Sequence, residues 1–256
     1  MVDQVNLDLA GRIVLVTGGV RGVGAGISAV FSGQGATVVT CARRPVEGLP
    51  YEFHGCDVRD PDAVDALIAA VVDRHGRLDV VVNNAGGSPY ALAADASPRF
   101  HRKIIELNLL GMLHVSTAAN AVMQRQDAGG SIVSISSVSG RRPSPGTAAY
   151  GAAKAGVDSL TSTLAVEWAP KVRVNAVVAG MVATEQAELF YGDSDSQAEV
   201  AATVPLGRLA TPADIGWATA FLASDVASYI SGAVLPVHGG GEPPPFLSAS
   251  SANKRS

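Results

Sequence analysis

Tyr150 and Lys154 stand four residues apart in "YGAAK". On a helix such residues share one face, so the spacing sets an ammonium beside a phenol. A free phenol titrates at about 10 and is a poor proton donor or acceptor at neutral pH. A fixed ammonium nearby favours the phenolate and draws that value down. Thirteen residues before the tyrosine, Ser137 closes the run "SISS" and adds a hydroxyl. A hydroxyl, a tunable phenol and a cation suit a reaction in which negative charge develops on a carbonyl oxygen. That oxygen needs a hydrogen bond and then a proton. A Tyr-x-x-x-Lys pair alone carries little weight, because tyrosines near helix starts are ordinarily surface or core residues.

The elements around these residues decide more. "RIVLVT" (12–17) is a short β-branched run ending in glycines, which reads as a buried strand and a turn. A helix follows to about Gln34, then "ATVVTCA" as a second strand and "YEFHGCDV" as a third. "PDAVDALIAAVVDRHG" opens with proline at a first helical position and spaces its apolar residues by three and four, as a helix does. "RLDVVVNNAG", "SIVSISS" and "VRVNAVVAG" read as further strands, with helices over 98–124 and 147–168. Strands apolar on both faces and alternating with helices predict an α/β fold, a parallel sheet covered on each side. With no linker before Gly241, the chain reads as one domain over 1–241 with a tail, "EPPPFLSASSANKRS", over 242–256. In such folds ligands bind beyond the carboxyl ends of the strands. "TGGVRGVG", Asp57, "NNAG", "SSVSG" and "AGMVAT" all fall at such ends.

Composition narrows the function. The 256 residues are 47% hydrophobic and 16% charged, enough for a large core and unlike a disordered chain. A net charge of −4 gives no footprint for nucleic acid or an anionic membrane. Cys41 and Cys56 make no disulfide framework and read as small buried hydrophobes. His54, His75, His101, His114 and His238 show no metal-ligand spacing, so no metal is expected. Neither a secretory leader nor an apolar run of the ~20 residues a membrane helix needs is visible, and a soluble cytoplasmic protein is expected.

The glycines of "TGGVRGVG" run Gly18, Gly22, Gly24 and do not fit G-x-G-x-x-G. They still let the backbone approach a pyrophosphate at the start of the following helix. A triphosphate loop is excluded, since no Gly-Lys-Ser/Thr follows.

Taken in order, "TGGVRGVG", "CDV", "NNAG", "ELNLLG", "SISS", "YGAAK" and "PLGRLATPADIGWATAFLASDVASYISG" resemble the short-chain dehydrogenase/reductase family, and 3-oxoacyl reductase-like members in particular. The resemblance implies a doubly wound Rossmann sheet of about seven strands, a nicotinamide cofactor and a homotetramer or homodimer. It implies Ser137, Tyr150 and Lys154 as the catalytic trio, with Ser136 the rival hydroxyl. Asn108 would hold a water linking Lys154 to solvent; capping or kinking its helix is the plainer role. Cofactor contacts are implied at Gly18, Arg21, Gly22, Val23, Gly24, Arg43, Asp57, Val58, Asn84, Ala85, Gly86, Tyr150, Lys154, Gly180, Val182 and Thr184. Asp57 would accept from the adenine amino group. NAD-preferring relatives carry an acid at the end of the second strand. Here Ala42 stands there, followed by Arg43 and Arg44, so NADP(H) is favoured over NAD(H).

Three departures accompany the resemblance. Ala179-Gly180 replaces the family's Pro-Gly, which frees an N–H and predicts a looser nicotinamide-side loop. "EWAPKVRVNAV" predicts a tight turn between helix and strand. His238 stands where relatives carry an acid. Residues 183–205 take the position of the family's substrate lid. Leu189, Phe190 and Tyr191 there, with Ser88, Pro89 and Tyr90 at the mouth, favour an apolar acyl or alicyclic, steroid-like carbonyl or alcohol as the small-molecule partner. A non-catalytic nucleotide-binding regulator or scaffold is the alternative, and the retained set of four residues weighs against it.

Overall fold

Val14, Leu15 and Val16 are all fully buried, so β1 (Ile13–Thr17) presents apolar side chains to both faces of a sheet. The computed structural model describes residues 7–250; residues 1–6 of the predicted domain and 251–256 of the predicted tail lie outside the described residues. After β1 come α1 (Gly22–Gly33), β2 (Thr37–Ala42), β3 (Glu52–Gly55), α2 (Pro61–His75) and β4 (Val80–Asn83). Then follow α3 (Pro98–Ile105), α4 (Gly111–Met123), β5 (Gly130–Ser137), α5 (Ala148–Glu167) and β6 (Val172–Ala179). Short helices α6 (Ala187–Tyr191) and α7 (Ser194–Ala202) precede α8 (Pro212–Ala223), β7 (Val234–Val237) and α9 (Pro245–Ala249).

Among the described residues the seven strands form one parallel sheet in the order β3-β2-β1-β4-β5-β6-β7. One face packs Leu67 and Val71 of α2, Val115 and Met123 of α4 and Leu164 of α5. The other packs Ile27 and Phe31 of α1 against Ile215 and Leu222 of α8. Two apolar layers explain why the strands lack an alternating pattern. The strand order reverses between β1 and β4, and the turns leaving these two strands open a crevice at their carboxyl ends.

The helices begin where the sequence supplies caps. Asp60 accepts from the amides of Asp62 and Ala63 ahead of α2, and Thr211 with Asp214 forms a capping box on α8. The helix expected over 98–124 is present and unbroken, but it is not α-helical throughout. A π turn, Glu106–Leu110, separates α3 from α4 and contains Asn108. The expected tight turn is present, with β6 starting soon after α5 ends and Val172 N–H donating to the Trp168 carbonyl at 3.1 Å.

The looser loop expected at Ala179-Gly180 is not found. Ala179 is the buried last residue of β6, in register with Ser137 and Val237, and Gly180 N–H donates to the Val237 carbonyl at 3.0 Å. An alanine there keeps the N–H that proline would lack, and β6 stays paired on both sides to its last residue. His238 packs there too, since a side chain on Gly180 would meet its Cα at 2.8 Å. Glu242, at the start of the predicted tail, pairs with Arg142 at 2.7 Å.

Candidate functional site

The carboxyl end of β5 delivers Ser137, and the first turns of α5 deliver Tyr150 and Lys154. Ser136 turns the other way: it is buried and donates to the Lys154 carbonyl at 3.3 Å, part of the seam between β5 and α5. Ser137 is the hydroxyl near enough to the Tyr150 phenol to favour its ionised form. Its oxygen accepts from the Ser139 amide at 3.2 Å, which fixes its position.

Lys154 is only 3% exposed. Its Nζ donates to the Ile135 carbonyl at 2.7 Å and lies 5.6 Å from the centroid of the Tyr150 ring. Burial holds the ammonium well below its ordinary value, at about 8, against a smaller upward pull from Asp158. Burial also pushes the phenol up; the nearby Ser137 hydroxyl pulls it back and Tyr191 adds to the rise. The fall in the phenol expected from its spacing to the lysine is therefore not found; the phenol moves up, with burial the largest cause. Nζ reaches past the ring to a strand carbonyl and is taken out of water, while Tyr150 stays partly exposed.

Asn108 is fully buried in the π turn. Its Nδ2 donates to the Ile104 and Gly87 carbonyls at 2.9 and 3.0 Å, and its Oδ1 accepts from Gly87 N–H at 2.8 Å. The amide thus ties the loop after β4 to the α3–α4 junction. A side chain on Gly86 would meet Oδ1 at 2.6 Å and Lys154 Nζ at 3.6 Å, so the missing Cβ leaves room between the two groups.

The glycine turn is built against the same loop. Gly18 has φ +66°, and a Cβ on Gly24 would meet the Gly18 carbonyl at 2.2 Å and Asn84 Nδ2 at 2.5 Å. Only glycine fits at either position. Asn84 donates from Nδ2 to the Thr17 and Gly18 carbonyls at 3.0 and 3.2 Å, while Thr17 Oγ1 accepts from the amides of Asn84 and Ala85. Gly22 has φ +53°, opens α1 and faces the Thr184 methyl. Open backbone at a helix start, with the helix dipole behind it, fits a pyrophosphate.

Other expected contacts are spread around this crevice. Arg21 and Arg43 are exposed, and Arg43 is near enough to Asp57 to help hold its carboxylate down. The main cause of that depression is Arg59, whose Nε donates to Asp57 Oδ1 at 2.9 Å. Any adenine contact at Asp57 would share a carboxylate already paired. The Val58 side chain is in the core, Val23 packs against the α1 layer, and Val182 forms a bridge with Ala210. Among the described residues no group of His, Cys, Asp and Glu is arranged to hold a metal.

Sequence reasoning gave no part to Thr17, Arg59 or Glu185. Thr17 was visible as a polar residue ending an apolar strand. Glu185 gave no local signal, because its partner, Gly22, is distant in the chain.

The family model described as enoyl-(acyl carrier protein) reductase matches residues 18–242. The oxidoreductase UcpA of Escherichia coli (strain K12) is 37% identical, with 94% of this chain and 98% of that protein covered. The 3-oxoacyl-[acyl-carrier-protein] reductase FabG of Thermotoga maritima is 34% identical, with 91% and 98% covered. Among solved structures, ligand-free aldohexose dehydrogenase of Thermoplasma acidophilum superposes with a TM-score of 0.88 at 33% identity, covering 97% of this chain and 98% of that one. Likeness of this extent, on a parallel seven-stranded sheet, makes the chain a member of the short-chain dehydrogenase/reductase family of oxidoreductases, which bind NAD(P)(H).

Proposed function

We propose that this enzyme interconverts a ketone and a secondary alcohol, with NADP(H) as cofactor and Tyr150 as the proton donor or acceptor. The observation that carries the reading is the meeting of Ser137, Tyr150 and Lys154 at the carboxyl end of β5, beside the glycine turn. Gly18, Arg21, Gly22, Val23 and Gly24 would hold the pyrophosphate side, and Asp57, Val58, Asn84, Ala85 and Gly86 the adenosine side. Gly180, Val182 and Thr184 would hold the nicotinamide side, with Tyr150 and Lys154 at its ribose. A nicotinamide held there would supply or accept the hydride.

The chain's own groups handle the oxygen and its proton. Ser137 donates a hydrogen bond to the substrate oxygen, and Tyr150 gives that oxygen its proton in reduction or takes it in oxidation. Lys154 supplies positive charge beneath the ring. Asn108 Oδ1 accepts one bond from Gly87 and keeps a second lone pair for a water beside Nζ.

Leu189 and Phe190 on α6 are 79% and 61% exposed, and apolar side chains on a lid support an acyl or alicyclic substrate. The name of the relative FabG, a 3-oxoacyl-[acyl-carrier-protein] reductase, makes a 3-oxoacyl thioester the first compound to try. NADPH oxidation by this compound is the expected result. Turnover confined to aldohexoses would overturn the apolar reading.

Cofactor preference rests on Arg43, exposed directly after β2 where no acid stands. A guanidinium gripping a 2′-phosphate makes charge-assisted bonds worth about 1.5–3 kcal/mol. Arg43→Ala is expected to weaken NADPH binding roughly ten-fold or more and leave NADH binding unchanged. Fluorescence titration of both nucleotides measures this, and an unaltered ratio of affinities contradicts the assignment.

The chain over 1–241 is read as one nucleotide-binding domain with 242–256 appended, and the protein as a cytoplasmic homodimer or homotetramer. Trp217 of α8 and Tyr229, exposed near each other in sequence, offer apolar surface for a second copy. No helix among the described residues is long and apolar enough to cross a membrane.

A further inference from the structure

Glu185 has no part in the chemistry above, yet its carboxylate sits on the first amide of α1. Gly22 N–H donates to Oε1 at 3.0 Å and to Oε2 at 3.2 Å. The helix provides no such anion locally: Arg21 makes no side-chain cap and the first turn holds no acid. Its positive end is met instead by a side chain from the connection between β6 and α6.

That connection also reaches the reaction centre. The Thr184 carbonyl accepts from Ala187 N–H at 2.9 Å, and Thr184 Oγ1 accepts from Gln186 N–H at 3.3 Å, so Glu185 is carried on a turn continuous with α6. α6 ends at Tyr191, which is close enough to Tyr150 to influence its phenol. The Thr184 methyl faces Gly22 beside the carboxylate. One short segment therefore spans from the phosphate-binding turn to the proton donor.

We propose that Glu185 is a latch: its carboxylate holds the anion position of the glycine turn until the pyrophosphate of the dinucleotide displaces it, and this release frees residues 185–191 to move over the substrate. The inference rests on the reading that the cofactor's pyrophosphate lies at this turn. A carboxylate and a pyrophosphate cannot both take the Gly22 N–H, and two anions at one helix end repel each other. The affinity for dinucleotide is then lowered by the fraction of molecules that are latched. Coupling of this kind is reciprocal: what binds the turn loosens the lid, and what fastens the lid weakens binding.

The test uses the full chain as wild type, Glu185→Gln and Glu185→Ala. Gln keeps the shape without the charge, and Ala removes both. NADPH and NADH dissociation constants come from fluorescence titration, and amide hydrogen exchange is followed without cofactor at Gly22 and across 187–192. Both variants are expected to bind NADPH about three- to ten-fold tighter, given the worth of one anion at a helix end. Without cofactor, Glu185→Ala is expected to exchange severalfold faster at Gly22 and across the lid. Unchanged or weaker NADPH binding in both variants, with wild type binding normally, overturns the latch and leaves the cofactor reading standing. If neither nucleotide binds wild type or variants, the glycine-turn reading fails and the latch fails with it.

Discussion

Tyr150→Phe is expected to lower kcat for reduction of a 3-oxoacyl thioester by about 10³-fold, within the range for loss of a positioned general acid. The NADPH dissociation constant should stay within about twofold. The substitution removes one oxygen and keeps the ring, so the surface beneath Lys154 Nζ and the start of α5 are preserved. Ser137 keeps its bond from the Ser139 amide and remains in place. The pH dependence separates proton transfer from simple packing. Burial raises the phenol above its ordinary value, so Tyr150 is protonated throughout the neutral range. Wild-type reduction should therefore decline in two steps, from about pH 8 as Lys154 loses its charge and further in stronger alkali as the phenol loses its proton, with oxidation rising at the second step. Only the phenol's step should vanish from the residual activity of the variant; the lysine's should remain. Steady-state rates in both directions from about pH 6 to about pH 11 provide the check, and a Phe variant that keeps wild-type kcat would remove Tyr150 from the chemistry.

The central strands of the sheet were legible because they are buried on both faces, whereas the partly exposed edge strand β7 was not read from its residues. The glycine turn was legible because Gly18, Gly22 and Gly24 hold backbone where side chains would collide. The π turn at Asn108 was not. It inserts one residue into a helix while leaving the apolar spacing on either side intact, so 98–124 still reads as α-helical throughout. Helical spacing put Lys154 beside Tyr150 correctly but could not say which way Nζ would turn. That depended on the Ile135 carbonyl, supplied by another element. Nor could it weigh burial, which acts on both groups against the direction their mutual attraction predicts. Ala179 was judged by the proline it replaces, when pairing on both sides of β6 decided its state. Glu185 lay beyond reach for the plainest reason, because a contact between a lid and a distant turn leaves no local pattern.

Lys154→Met should raise stability while lowering turnover. The ammonium is buried, and the folded protein holds its proton at about 8 rather than 10.5 because desolvation disfavours the charge. Between those two values the unfolded chain binds more protons than the folded one, so stability rises with pH across that window. Below about pH 8 the full penalty of the buried charge is present, on the order of 3 kcal/mol at ~1.36 kcal/mol per unit. Methionine fills similar volume beside Met112, which lies 3.9 Å from Nζ, but leaves the Ile135 carbonyl without its donor. That loss costs about 1 kcal/mol. The net expectation at pH 7 is a gain of roughly 1–2 kcal/mol, or a Tm higher by about 2–8 °C for a domain of this size. At about pH 10 the gain should shrink, because the wild-type lysine is then neutral when folded. Over the same series kcat should fall by roughly 10²-fold or more, since no cation remains beneath the ring. Calorimetry at the two pH values, beside initial rates, measures both effects. A lower Tm at pH 7 would mean that the bond to Ile135 outweighs desolvation, and the lysine would then be part of what holds β5 to α5. A higher Tm with lost turnover would mean that the chain keeps a destabilising charge because the reaction needs it.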